Sequence, residues 1–85
     1  MLSLQFFYKG GMTHMELTKT ISGRLRDLRK ERGLSQFQVS QVLQIDRSTI
    51  AKYETAAAAP SVFILVNLAK MYEVSSDYIL GLVSD

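Results

Sequence analysis

An all-α domain, a compact bundle of five short helices, is the fold that three features of this chain predict. Apolar residues recur at helical spacing in Ile21, Leu25 and Leu28, and again in Leu65, Leu68 and Ala69. Residues suited to helix N-caps, namely Ser35, Asp46, Ser61 and Ser75, stand before each later helical stretch. From residue 20 onward no run alternates apolar and polar as a half-buried strand does.

The first helix is expected from about Ile21 to Arg32, with Gly33 supplying the left-handed residue that ends it. Ser35 opens the second, and Gln38 three residues on completes a capping box. That helix ends near Leu43. Asp46 caps a third, which turns Ile50 and Tyr53 inward. The run Ala56-Ala57-Ala58-Ala59 favours its continuation, because alanine is the best helix former. Ser61, after Pro60, caps a fourth helix carrying Leu65, Leu68 and Ala69. Ser75 caps a fifth that closes with Ile79, Leu80 and Gly81. Residues 1–19 read as an N-terminal extension and residues 20–85 as the domain. The extension is either an arm or the product of an upstream start, with Met12 or Met15 the native first residue. Its alternation of Leu2, Leu4 and Phe6 permits a short strand.

Eighty-five residues enclose one hydrophobic core. With 47% hydrophobic and 21% charged residues, the composition is globular rather than disordered. No cysteine is present and the single histidine, His14, has no ligand partners at metal spacing, so neither a metal nor another cofactor is expected. The apolar run Leu2–Tyr8 is too short to span a bilayer, so a cytoplasmic protein is expected. Paired carboxylates, an activated nucleophile and a phosphate loop are all missing from the sequence, which argues against an enzyme.

Charge is unevenly placed. Lys19 to Lys52 holds eight basic residues against three acids, whereas the remainder holds two bases against five acids. A basic half of this kind suits a phosphate surface. Within it, Leu34 to Glu54 reads as two short helices joined by Gln44-Ile45-Asp46. So tight a connection makes them cross steeply and leaves the start of the later helix projecting. A projecting helix fits the DNA major groove and meets base edges with its first residues, here Arg47, Ser48, Thr49 and Lys52. Ala51 leaves room for a thymine methyl. Of Arg24, Arg26, Arg29 and Lys30 in the first helix, one or two are expected near phosphate, Arg24 being the candidate, and the rest solvated or paired with Asp27 and Glu31. Tyr53 reads as a core residue whose hydroxyl is wet enough to reach a phosphate.

The stretch Ile21 to Gly81 resembles the lambda-repressor/Cro-like, or XRE-like, helix-turn-helix regulators. The matching pieces are Arg24-Leu25-Arg26-Asp27-Leu28-Arg29, Gly33-Leu34-Ser35-Gln36, Arg47-Ser48-Thr49-Ile50-Ala51-Lys52-Tyr53-Glu54, Pro60-Ser61, and Val74-Ser75-Ser76-Asp77-Tyr78-Ile79-Leu80-Gly81. The resemblance implies a five-helix fold with the helix-turn-helix at the second and third helices. It also implies that Gln36 touches phosphate, that Arg47, Ser48, Thr49 and Lys52 face DNA, and that dimers read two half-sites of a palindromic operator, as in a repressor. Two features depart from the pattern. Gln44 stands where such proteins carry glycine, and a left-handed conformation there costs glutamine roughly 1 kcal/mol. The four alanines from Ala56 replace the glycine and basic residues that approach the DNA backbone.

The homodimer is expected to form through the closing helix, at Tyr78, Ile79, Leu82 and Val83, with Leu2–Tyr8 adding to it. The rival class is an antitoxin or adaptor that keeps this fold but binds a protein.

Overall fold

The computed structural model describes residues 11–84. These form five helices: α1 (His14–Glu31), α2 (Gln36–Leu43), α3 (Arg47–Glu54), α4 (Val62–Tyr72) and α5 (Ser76–Leu80). No strand is present among the described residues. The all-α, five-helix expectation is met; the strand and dimer roles expected of Leu2–Tyr8 fall outside the described residues.

Local chemistry sets most helix ends. Ser35 Oγ accepts from Gln38 N at 3.0 Å, and Gln38 Oε1 accepts from Ser35 N at 2.8 Å, closing the expected capping box. Ser61 and Ser75 cap α4 and α5 through their hydroxyls. Asp46 occupies the N-cap position of α3 without a side-chain cap bond; its carbonyl accepts from Thr49 and Ile50 instead. Gln44 takes the left-handed conformation its place in the turn requires, with φ 56°.

Two elements differ from the sequence reading. The first helix begins at His14, seven residues before Ile21, because Thr13 and Glu16 form a second capping box. The boundary expected between residues 19 and 20 therefore lies inside α1, and Thr18 is buried with its hydroxyl on His14 O. The alanine run does not continue α3, which ends at Glu54, and Ala56 adopts φ 63°. In a longer helix, Glu54 O would accept from Ala58 N. Here it accepts from Ser22 Oγ of α1 at 2.6 Å, and Ala58 N turns back to Lys52 O. A tertiary hydrogen bond overrides alanine's propensity.

The core combines Ile21, Leu25 and Leu28 of α1, Val39 of α2, Ile50 and Tyr53 of α3, Leu68, Ala69 and Tyr72 of α4, and Ile79 of α5. Each large side chain so buried contributes about 1.5–3 kcal/mol. Ile79 is fully buried, which removes it from any surface offered to a second copy. The close of α5 is pressed on α1: a Cβ at Gly81 would stand 2.6 Å from Thr20 Cγ2. Arg32 Nη2 donates to Tyr72 O at 2.6 Å and so satisfies a carbonyl at the end of α4.

Candidate nucleic-acid interface

The second and third helices of the sequence reading are α2 and α3, and they pack on each other across the Gln44 turn. The buried side of α3 is Ile50, Tyr53 and Glu54. Helical geometry then turns Ser48 and Lys52, four residues apart, directly away from the core. Both are exposed, as is Arg47 in the first turn; Thr49 and Ala51 are half-buried on the flanks. Arg47, Ser48 and Lys52 make no side-chain hydrogen bond or ion pair among the described residues. Arg47 and Ser48 stand in the first turn of α3 and Lys52 in its last turn, so exposed donors run along the side of the helix that faces away from the core.

The phosphate candidates divide. Gln36, in the first turn of α2, is half-buried and donates through Nε2 to Glu54 Oε1 at 3.2 Å, which leaves one amide N–H for a ligand. Arg24 is not brought to this surface. Its guanidinium lies 4.3 Å from the centre of the Tyr78 ring and donates to Tyr78 O and Val83 O, so it fastens α5 to α1. Tyr53 is a core residue at 6% exposure. Burial raises its pKa, so only a protonated hydroxyl is available to any phosphate.

The main feature missed from sequence is the support beneath these helices. Arg29 Nε and Nη2 hold the two carboxylate oxygens of Glu54 at 2.7 and 2.9 Å, and Nη1 donates to Leu34 O at 2.9 Å. The hydrogen bond to Glu54, which outweighs the opposing effect of burial, raises the Arg29 pKa. Arg29 thus pairs across the fold rather than with Asp27 or Glu31. One signal was present: Glu54 falls on the same inward stripe as Ile50 and Tyr53, and a carboxylate there needs a cation. The pair ties α1 to α3, while Gln36 ties α2 to the same carboxylate.

No helix among the described residues is long and apolar enough to cross a membrane, and no cluster of three or more metal-ligating side chains occurs among them.

Fold and surface together define a helix-turn-helix domain. Residues 25–79 match the family model described as Helix-turn-helix, and the chain belongs to that family. The resemblance to lambda-repressor/Cro-like regulators is borne out. The chain is 44% identical over 62 residues to the uncharacterized HTH-type transcriptional regulator YobD of Bacillus subtilis (strain 168), covering 73% of this chain and 55% of that protein. It is 31% identical to the HTH-type transcriptional regulator ImmR of the same organism, covering 73% and 49%. It is 38% identical to the cryptic phage CTXphi transcriptional repressor RstR of Vibrio cholerae, covering 75% and 55%. The matches thus span about half the length of these relatives.

Proposed function

We propose that this domain binds double-stranded DNA with the start of α3 in the major groove, and that it regulates transcription, as a repressor, from a homodimer on a palindromic operator. The observation that carries the reading is the exposed trio Arg47, Ser48 and Lys52, without side-chain partners among the described residues and borne on a helix whose other side is core. Arg47 is assigned to a guanine edge, with Ser48, Thr49 and Lys52 completing the base contacts. Gln36 is assigned to a phosphate at the start of α2. The relatives' names as transcriptional regulators and a repressor support the same reading. The reading includes no catalytic step or cofactor and places the protein with DNA in the cytoplasm.

A second reading, an antitoxin or adaptor bound chiefly to protein, is favoured by the loop Ala56–Ala59, which offers no side-chain donor where phosphate contacts would lie. Titrating the protein against mixed-sequence duplex at low and high salt separates the two. A nucleic-acid reader loses affinity steeply as salt rises, because each neutralised phosphate releases counterions. Negligible binding even at low salt would favour the adaptor.

A further inference from the structure

Residues 55–59, which follow α3, carry no cation, and α1 is joined to the chain just before them. Ser22 Oγ donates to Glu54 O, at the last residue of α3, and Arg29 holds the Glu54 carboxylate. Two residues share the side of α1 that carries Ser22, three positions before it and four after: Lys19 and Arg26. Two cations therefore bracket the junction of α1 with the end of α3. Both are exposed, and neither makes an ion pair or a side-chain hydrogen bond among the described residues. The acids nearby are engaged or turned away. Arg29 takes Glu54, Glu16 accepts from Thr13 N, and Asp27 stands about 140° round the helix from Ser22. Lys19 also rims an open recess of about 420 Å³ that His14, Met15 and Thr18 form with residues 55–59. Four alanines and a methionine make its wall mainly apolar.

We infer that Lys19 and Arg26 hold the DNA backbone at the end of α3, in place of the donors that the alanine loop lacks. The inference rests on the DNA reading above and adds a second backbone contact to the one assigned to Gln36. A sugar–phosphate unit has the chemistry that the recess offers. Lys19 at the rim meets the phosphate, and the carbon face of the deoxyribose lies on the alanines and Met15. Arg26, about 10 Å further along α1, reaches a neighbouring phosphate of the same strand. Gly23 lies between the two cations on this side of the helix, and a Cβ there would meet nothing within 4 Å. Packing inside the fold therefore does not call for glycine, although glycine in a helix costs about 1 kcal/mol relative to alanine. The bare backbone leaves the duplex room to lie close. Continuity with α3 favours DNA over an acidic protein as the occupant, since a duplex seated on α3 already lies against that helix. The loop's lack of donors then ceases to favour an adaptor, because α1 supplies the charge.

The test is affinity for duplex DNA measured across a salt series. Each neutralised phosphate adds about 0.9 to the slope of log K against log salt. Lys19→Gln and Arg26→Gln should each flatten the slope by about 0.9, and together by about twice that. The fold-loss should be the same on a selected site as on unrelated DNA, because phosphates carry no sequence. Lys70→Gln removes an exposed cation from α4 instead and should leave the slope unchanged. In the protein carrying both Lys19→Gln and Arg26→Gln, Ala57→Lys should regain about half of the lost slope by returning a cation to the loop. Circular dichroism should find every variant as helical as wild type, since all four residues are exposed. An unchanged slope in both single variants, or an equal fall with Lys70→Gln, would overturn the inference and leave the DNA reading intact. Variants that bind duplex as wild type does but lose affinity for polyglutamate would overturn it too, giving both cations to an acidic protein. A wild type that binds no duplex at low salt defeats the DNA reading, and this backbone contact with it.

Discussion

Arg29 and Glu54 form a two-pronged ion pair, 2.7 and 2.9 Å on its two arms, with the carboxylate side chain 4% exposed. The pair joins α1 to the end of α3 and, through Gln36, to the start of α2. It sets the orientation of the helix that presents Arg47, Ser48 and Lys52. Glu54→Ala leaves a half-buried guanidinium without its counter-ion and should destabilise the domain by about 2–3 kcal/mol, less than for a fully buried pair. Arg29→Met combined with Glu54→Leu should lose less than Glu54→Ala, because no charge is then left unpaired. Urea denaturation of the three proteins, wild type included, measures both effects. Equal losses in Glu54→Ala and the double variant would mean that the pair acts only through its shape.

Ala56 adopts φ 63°, a region where an L-residue is strained by its Cβ. Ala56→Gly should stabilise the fold by about 1 kcal/mol, seen as a rise in Tm of about 4–8 °C. No rise on thermal unfolding would mean that relief of strain is cancelled by the freer unfolded chain.

The first turns of α1 belong to the folded unit rather than to the extension. Removing residues 1–11 leaves the Thr13–Glu16 capping box intact and should leave Tm nearly unchanged. Removing residues 1–19 takes away that box and the buried Thr18, and should cost about 1–2 kcal/mol. Calorimetry of the two truncations decides. Equal Tm values would restore the boundary at residue 20.

Tyr72 is 1% exposed, and burial, with the Glu54 carboxylate nearby, pushes its pKa up to about 12. The unfolded chain releases this proton near 10, so the folded state holds it more tightly. Stability linked to Tyr72 is therefore complete below pH 10 and is lost as pH rises through about 12. The loss approaches about 2–3 kcal/mol. Ultraviolet titration of phenolate should find late ionisation in wild type that Tyr72→Phe removes, and the variant's stability should fall less between these limits.

How much of the fold and site is legible in the sequence follows the range of the interactions. Ser35, Ser61 and Ser75 cap helices through bonds to residues three positions away, so local pattern reveals them. The left-handed turn at Gln44 follows instead from the resemblance, since similar proteins carry glycine there. The Thr13–Glu16 box has the same spacing as the serine caps, and Leu17, four residues before Ile21, carries the apolar stripe back to it, so this helix start is legible too although the sequence reading begins at Ile21. The end of α3 is beyond local reading, since Ser22 Oγ reaches Glu54 O across 32 positions. Arg24 and Arg29 illustrate the same limit at the candidate site: both are cations on α1, yet one fastens α5 and the other neutralises Glu54. Ile79 is apolar either way; only packing distinguishes a core residue from one waiting for a partner. Arg47, Ser48 and Lys52 are legible because they depend on one tight turn and one helical period.

The most direct test of the central claim is affinity measured on a site selected from random duplexes and on unrelated DNA, for wild type and Arg47→Ala. The DNA-reading account predicts that Arg47→Ala loses about 1–3 kcal/mol on the selected site and little on unrelated DNA, so that preference relaxes where a base-edge contact has gone. Equal weakening on both would make Arg47 a phosphate contact, and a wild type that selects no sequence at all would contradict the claim that α3 reads DNA.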